Sequence, residues 1–202
     1  MARYTGPKWK INRRENATVL GDDSWKKRPT LPGQHGTSRG RPSNYAIQFR
    51  EKQKIKRTYG LLEKQFRNTY ARAMKATGNT GTRLLQLLEL RLDNVVYKLK
   101  IAQTREQARQ FVTHGHILVN GKKLDIPSYT MKIGDKIEVK KKIREGEMFK
   151  NSQLNRKAEE YPSWISGNKY EGEVIAEPQR DDLDSSMKDQ FVVELYSRYN
   201  IK

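Results

Sequence analysis

His114 and His116 flank a glycine, between a run with helical apolar spacing and a run that alternates. Imidazoles this close in sequence could ligate a metal, move a proton in catalysis, or offer hydrogen-bonding and stacking groups at a turn. A metal needs at least three protein ligands. The remaining histidine, His35, sits in the loop PGQHG with no carboxylate cluster at ligand spacing beside it, and the chain contains no cysteine. A catalytic histidine needs a nucleophile and an orienting carboxylate, and this region has no GxSxG elbow, no paired acids and no phosphate-binding glycine loop. A plain turn accounts for Gly115 but leaves the surrounding cations unexplained. A binding surface uses all of them: Arg105, Arg109, His114, His116, Lys122 and Lys123 would line a helix end, a turn and a hairpin. The expectation is a non-enzyme without metal or cofactor.

The charge pattern extends this reading. Lys and Arg number 41 against 23 Asp and Glu in 202 residues, a formal net charge of +18, which calls for a polyanionic partner. Residues 1–60 carry 15 basic and 4 acidic side chains, 61–110 carry 10 and 4, 111–157 carry 11 and 5, and 158–202 carry 5 and 10. Most of the chain is therefore expected to face a polyanion and its last segment to face protein or solvent. No apolar run approaches the ~20 residues of a membrane span, and the N-terminus lacks the apolar core of a secretory signal, so a soluble cytosolic protein with no membrane partner is expected.

Residues 1–42, rich in Gly, Pro and cations, show no sustained apolar period and read as a disordered tail or as an arm that orders on a partner. Tyr4, Trp9 and Trp25 interleaved with Arg13, Arg14, Lys26, Lys27 and Arg28 favour the arm, since aromatic faces stack on bases while cations hold phosphates. From Ser43 a helix is expected, with Tyr45, Phe49, Lys52 and Lys56 on one face and a stop at Gly60. A second helix would bury Leu62, Phe66, Tyr70 and Met74 and stop at Gly78. TRLLQLLELRLDNVVYKLKI reads as two helices broken near Leu90 to Asp93. Thr104 and Gln107 form a capping box ahead of a helix whose apolar stripe is Ala108, Phe111 and Val112. Asn120-Gly121 predicts a hairpin, Leu124 and Ile126 resume its apolar face, and Met131, Ile133, Ile137 and Val139 around a Gly134-Asp135 turn predict further strands. Trp164, Ile165, Val174 and Ile175 would extend or cover that sheet. FVVELYSRY, with Val192, Leu195, Tyr196 and Tyr199, predicts an amphipathic helix needing a partner, for which the helices of residues 43–78 are candidates.

RLDNVVYKLKIAQTREQARQFVTHGHILVNGKKLDIPSYTMKIGDKIEV closely resembles the RNA-binding module named after small-subunit ribosomal protein four. PGQHG at Pro32–Gly36, REKQK at Arg50–Lys54, Tyr59-Gly60, Glu63–Phe66 and RLDNVVY at Arg91–Tyr97 resemble the bacterial-type form of that ribosomal protein family itself, over about residues 1–145, with VVELYSR near the C-terminus fitting too. Without cysteines the chain is similar to the zinc-free form. Met148 to Ser186 departs most from the family's pattern.

The resemblance implies an α+β fold: a helical domain with a basic extended N-terminal arm and an inserted small module of two helices packed on a short antiparallel sheet. The expected divisions are an arm at 1–42, a helical domain at 43–90 joined by a C-terminal helix at 190–202, the RNA-binding module at 91–145 and a variable extension at 146–189. It further implies a structural constituent of the small ribosomal subunit. Such a protein is a primary binder of small-subunit ribosomal RNA at a helix junction of the 5′ domain, nucleates subunit assembly and influences translational accuracy together with small-subunit protein five. Protein three and messenger RNA where it enters the subunit would be neighbours, in the cytoplasm or in an organelle ribosome. The residues expected to face RNA are Arg3, Lys8, Lys10, Arg13, Arg14, Lys26, Lys27, Arg28, His35, Arg39, Arg41, Arg50, Lys52, Lys54, Arg57, Arg67, Arg72, Arg83, Arg91, Arg105, Arg109, His114, His116, Lys122 and Lys123. An RNA-modifying enzyme that docks through the module lacks room, since only the acidic tail of about forty-five residues is left for a catalytic domain. A major-groove DNA reader would need one recognition helix carrying base-reading side chains.

Overall fold

The computed structural model describes residues 4–21, 23–28, 30–37, 40–147, 149–150 and 161–199; Arg3, Arg39, Met148 and Asn200–Lys202 lie outside the described residues. In chain order the helices are α1 (Lys8–Glu15), α2 (Asn44–Thr58), α3 (Glu63–Lys75), α4 (Thr80–Glu89), α5 (Leu92–Lys98), α6 (Arg105–Thr113), α7 (Lys141–Arg144) and α8 (Asp189–Ser197). The strands are β1 (Ile117–Val119), β2 (Lys122–Lys123), β3 (Lys136–Val139), β4 (Ile165–Gly167) and β5 (Glu171–Val174). Two compact units result, one of Met1–Leu84 with Ser185–Lys202 and one of Leu85–Asp184, so the second is inserted in the first.

In the first unit the N-terminal segment is not extended throughout. Asn12, fully buried, accepts hydrogen bonds from the amides of Val19 (3.1 Å) and Leu20 (2.9 Å) and donates to the Leu20 carbonyl (2.6 Å). Asn16, in the left-handed region at φ 49°, turns the chain out of α1, and the Trp25 indole N–H, in a 3₁₀ turn at Asp23–Lys27, donates to Thr18 Oγ1 at 2.9 Å. Ile11, Val19 and Trp25 are buried around this polar hub. Side-chain bonds to backbone hold here a small fold that apolar spacing does not announce.

Ser43 caps α2 by accepting from the Ala46 amide, and Gly60, at φ +62°, follows its end. The face that α2 buries is Gln48, Lys52, Ile55 and Thr58, whereas Tyr45 of the expected face is exposed. In α3 the buried residues are Phe66, Tyr70 and Ala73, while Leu62 and Met74 are 46% and 50% exposed. A series of i+4 steps rotates about 40° each time around a helix of 3.6 residues per turn, so the ends of a four-member series leave the buried face and an i+3 neighbour, Ala73, closes it. α8 packs on α2, as the C-terminal pattern required. Val192, Leu195 and Tyr196 are buried, and Tyr196 meets the rings of Tyr70 at 4.6 Å and Phe66 at 6.2 Å. Tyr199 falls beyond the helix and is half exposed.

In the second unit α5 and α6 pack together over an antiparallel sheet of order β2-β1-β3-β5-β4. The core holds Leu92, Val95 and Val96 of α5 and Leu99 just past its end, Ala108, Phe111 and Val112 of α6, and Ile117, Val119, Ile137, Val139, Ile165 and Val174 of the strands. Asn120 and Gly121, at φ 51° and 76°, make the β1–β2 turn as expected for Asn-Gly. Asn120 also donates to Asp135 Oδ1 (2.8 Å) and accepts from the Lys136 amide (2.9 Å), tying the hairpin to the Gly134-Asp135 turn. The sheet has five strands, because Trp164–Val174 extends it with a second hairpin. Gly167 and Gly172 pair across it; a Cβ at Gly172 would collide with the Leu99 side chain and one at Gly167 with the Glu171 carbonyl. Ile126, Ile133 and Ile175 depart from the alternating expectation: each is more than half exposed, lying in a turn or past a strand end.

Candidate nucleic-acid interface

The His-Gly-His turn ends α6. Thr104 Oγ1 caps the helix by accepting from the Gln107 amide at 3.1 Å, whereas Gln107 Oε1 accepts from the Gln103 amide, one residue earlier than a reciprocal capping box requires. Gly115 takes φ +68°, and Lys123 of β2 lies across it so closely that a Cβ would collide with the lysine stem. The rings of exposed His114 and half-buried His116 meet edge to face at 5.7 Å, with Phe111 6.1 Å from His116. Burial, and then the charges of His114 and Lys140, push the His116 imidazole below its ordinary pKa. Lys140, whose amide donates to the His116 carbonyl at 3.0 Å, joins the cluster without having been anticipated. Its signal was the pairing of β1 with β3, which alternation suggested but did not register. His114, His116, Lys123 and Lys140 thus gather at the ends of α6, β1, β2 and β3, whereas exposed Lys122 pairs with Val119, one step farther from the turn.

Arg105 lies about 13 Å along α6 from His114, at 1.5 Å per residue. It and its neighbours are built into the fold rather than freely solvated. Arg91 makes a two-point buried pair with Asp93, and Arg109 approaches Asp93 Oδ2 at 3.5 Å. Arg105 Nε donates to Asn94 Oδ1 at 2.8 Å, and its guanidinium lies 4.6 Å over the Tyr97 ring. Asn94 Nδ2 donates to the buried Glu89 carboxylate at 2.7 Å, which also has Lys98 at 3.7 Å. Arg91, 6% exposed, is corrected from an RNA-facing residue to a positioning one. Asp93 and Asn94, to which the sequence reading gave no role in the site, are the acceptors that hold Arg109 and Arg105.

In the first unit Lys8, Lys10, Lys26, Lys27, Arg28, His35, Arg41, Arg67 and Arg72 are exposed, and Arg83 is half buried. Lys26 pairs with Asp23 at 2.7 Å. Arg13 and Arg14 donate to the carbonyls of Thr30 (3.4 Å) and Pro32 (3.1 Å), fastening the start of the PGQHG loop beside α1. Gly36 there has no room for a side chain against the Leu31 carbonyl. Four expected contacts are spoken for internally. Arg50 and Arg57 bind Glu15, whose own side chain is fully buried, Lys54 donates to the Ser186 carbonyl, and Lys52, 6% exposed, pairs with Glu63 at 2.6 Å. Lys52 is therefore corrected to a structural residue. Burial pushes the Glu15 carboxyl up against the opposing charges of Arg50 and Arg57. Burial also opposes ionisation of Glu63, but hydrogen bonds from Lys52 and Lys56, with their charges, hold its pKa at about 2. Among the described residues no three His, Cys, Asp or Glu side chains cluster as metal ligands would, and no helix is long and apolar enough to cross a membrane.

The sequence profile of the ribosomal protein S4/S9 N-terminal domain matches residues 3–89, and that of the S4 domain matches residues 90–137. The chain is 50% identical to small ribosomal subunit protein uS4A of Clostridium acetobutylicum over 208 residues, covering 98% of this chain and all of that protein. This chain belongs to the uS4 family. Protein uS4 of Clostridium tetani is 48% identical and that of Clostridium botulinum 49%, each again over 98% of this chain and the whole of the relative. The S4-domain match runs from Leu90 through α5, α6 and the Asn-Gly hairpin to Ile137 in β3, so it contains the His-Gly-His turn and the Arg91–Asp93–Arg109 group. It stops before Lys140 and before the β4–β5 hairpin. The α+β architecture with an inserted module that the uS4 resemblance implied is the one found.

Proposed function

We propose that the chain is a structural constituent of the small ribosomal subunit, a non-enzyme that binds small-subunit ribosomal RNA. The observation that carries this is that the S4-domain match contains the His-Gly-His turn at the end of α6, where Lys123 lies across Gly115 and Lys140, just past the match, adds its charge beside His116. A folded RNA junction is recognised by shape and by phosphate and 2′-hydroxyl contacts. Cations held on short rigid elements suit that task, and Arg105 and Arg109 are fixed by Asn94 and Asp93 in the way preorganised contacts require.

The finer reading follows the family. The chain is a primary binder at a helix junction of the 5′ domain, nucleates assembly, neighbours small-subunit proteins five and three, lies near messenger RNA where it enters the subunit, and affects decoding accuracy with protein five. Its site is the small ribosomal subunit of the cytoplasm. The arm cations Lys8, Lys10, Lys26, Lys27 and Arg28 add phosphate neutralisation. Tagged full-length chain expressed in a bacterial host should sediment with intact small subunits through a salt wash that strips loosely bound proteins. Recovery in the free fraction alone would overturn the assignment.

A further inference from the structure

We propose that Trp9 is a stacking platform for an unpaired RNA base, an assignment that rests on the ribosomal-RNA reading and names one site within it. Of the chain's three tryptophans, Trp164 is 1% exposed and Trp25 is 7% exposed with its N–H bound to Thr18, whereas Trp9 is 53% exposed. The Trp9 indole thus keeps about half of its surface in water, on a helix otherwise rich in polar residues. Its setting is cationic. α1 has no acidic residue in its first turn, and Arg13 and Arg14 occupy its last. The single acid of the helix, Glu15, is turned inward with no exposed side-chain surface, bound by Arg50 and Arg57. The solvent side of α1 thus presents an aromatic face among positive charges.

The groups around the indole are fastened. Arg13 stands one turn from Trp9 on the same side of the helix and is fastened to the Thr30 carbonyl, while Lys10 and Arg14 form the neighbouring row. Tyr4, itself 51% exposed, donates its hydroxyl proton to the Pro7 carbonyl at 3.2 Å and folds over Gly6, so a second aromatic ring is fixed at the entrance to the helix. A nucleobase offers a π face to the indole while its flanking phosphates meet Lys10 and Arg13, the combination by which single-stranded segments are bound without sequence readout. A protein partner would also cover an indole, but it would have to bring an acidic surface. The surrounding charge favours RNA, whose phosphates are uniformly negative.

The test uses the full chain and a transcript of the small-subunit 5′-domain junction, with tryptophan emission read under acrylamide, a neutral quencher. In free protein acrylamide should reach one indole of the three, and Trp9→Phe should abolish that accessible fraction. Adding transcript should quench the Trp9 emission and shield it. Trp9→Ala should weaken binding roughly ten-fold without altering the salt slope, because no phosphate contact is lost, and Trp9→Tyr should restore most of the affinity. The melting temperature of Trp9→Ala should match the parent, since the side chain is half in solvent. The proposal is overturned if Trp9→Ala binds as tightly as the parent, if Trp9→Leu rescues as well as Trp9→Tyr, or if Trp9→Ala keeps full RNA affinity but fails to join protein-containing subunits. A parent chain that does not bind the transcript would instead defeat the ribosomal-RNA reading itself.

Discussion

Arg91 and Asp93 face each other through two hydrogen bonds, Nε to Oδ1 at 3.1 Å and a terminal guanidinium nitrogen to Oδ2 at 2.8 Å, with side chains 8% and 7% exposed. Arg109 approaches the same Oδ2 at 3.5 Å. The carboxylate therefore joins the break before α5 to the middle of α6, and Met131 N, donating to the Leu90 carbonyl at 2.8 Å, adds the chain leading to β3. A buried pair of this kind contributes little net stability over an apolar replacement, but removing one partner strands the other.

Asp93→Ala should accordingly destabilise the chain by about 3 to 5 kcal/mol, read as a lower denaturant midpoint, whereas replacing all three partners at once, Arg91→Met with Asp93→Leu and Arg109→Leu, should recover most of the loss. An unaltered midpoint for Asp93→Ala would show that the pair is not buried as described.

Leu195, 2% exposed on the face that α8 packs against α2, sets a second expectation. Leu195→Ala should cost about 2 to 5 kcal/mol, while Tyr199→Ala, at a half-exposed position, should stay within about 0.5 kcal/mol. Equal melting temperatures for Leu195→Ala and the parent would refute the docked helix.

Much of the fold is legible in the sequence because it rests on local rules. Asn120-Gly121 takes positive φ at both residues, Ser43 caps α2, and the Ala108, Phe111 and Val112 stripe is buried. What escapes is non-local polar chemistry. Asn12 reads as one more polar residue in a basic segment, yet its three bonds to Val19 and Leu20 organise the N-terminal turn. Gly167 and Gly172 carry no apolar signal, yet Leu99, just past the end of α5, is seated against them. In the candidate site, residue type and clustering identify the cations at the His turn, but Lys52 and Arg91 are indistinguishable in sequence from solvated cations. Their partners, Glu63 and Asp93, are settled by the packing of α2 and α3 and by the turn before α5.

The Lys52–Glu63–Lys56 group makes stability depend on acid. Glu63 has a folded pKa of about 2 against an ordinary 4.5, so its contribution is complete above pH 4.5 and is lost as pH falls through that window toward 2. The denaturant midpoint of the parent should exceed that of Glu63→Gln at pH 6 and converge on it near pH 2. A gap independent of pH would contradict the ion pairs. Because the Glu63 side chain is 41% exposed, solvent screening keeps the effect small, and added salt should shrink it.

At the His turn, Lys123→Ala and Lys140→Ala should each lower the slope of log affinity against log salt by roughly 0.7 to 0.9 for every phosphate contact removed. His116→Gln should leave that slope unchanged at pH 7, because burial, His114 and Lys140 keep the imidazole neutral there. Equal slopes for the parent and both lysine variants would remove this turn from the interface.

The most direct test of the central claim compares the full chain's affinity for the 5′-domain junction transcript with that for duplex DNA of equal length, at one fixed salt concentration. Both present phosphates to a +18 protein, so bulk electrostatics alone predicts no strong preference. A shape-reading ribosomal RNA binder should prefer the junction at least ten-fold, about 1.4 kcal/mol. Duplex DNA bound as tightly as the junction, or more tightly, would contradict it.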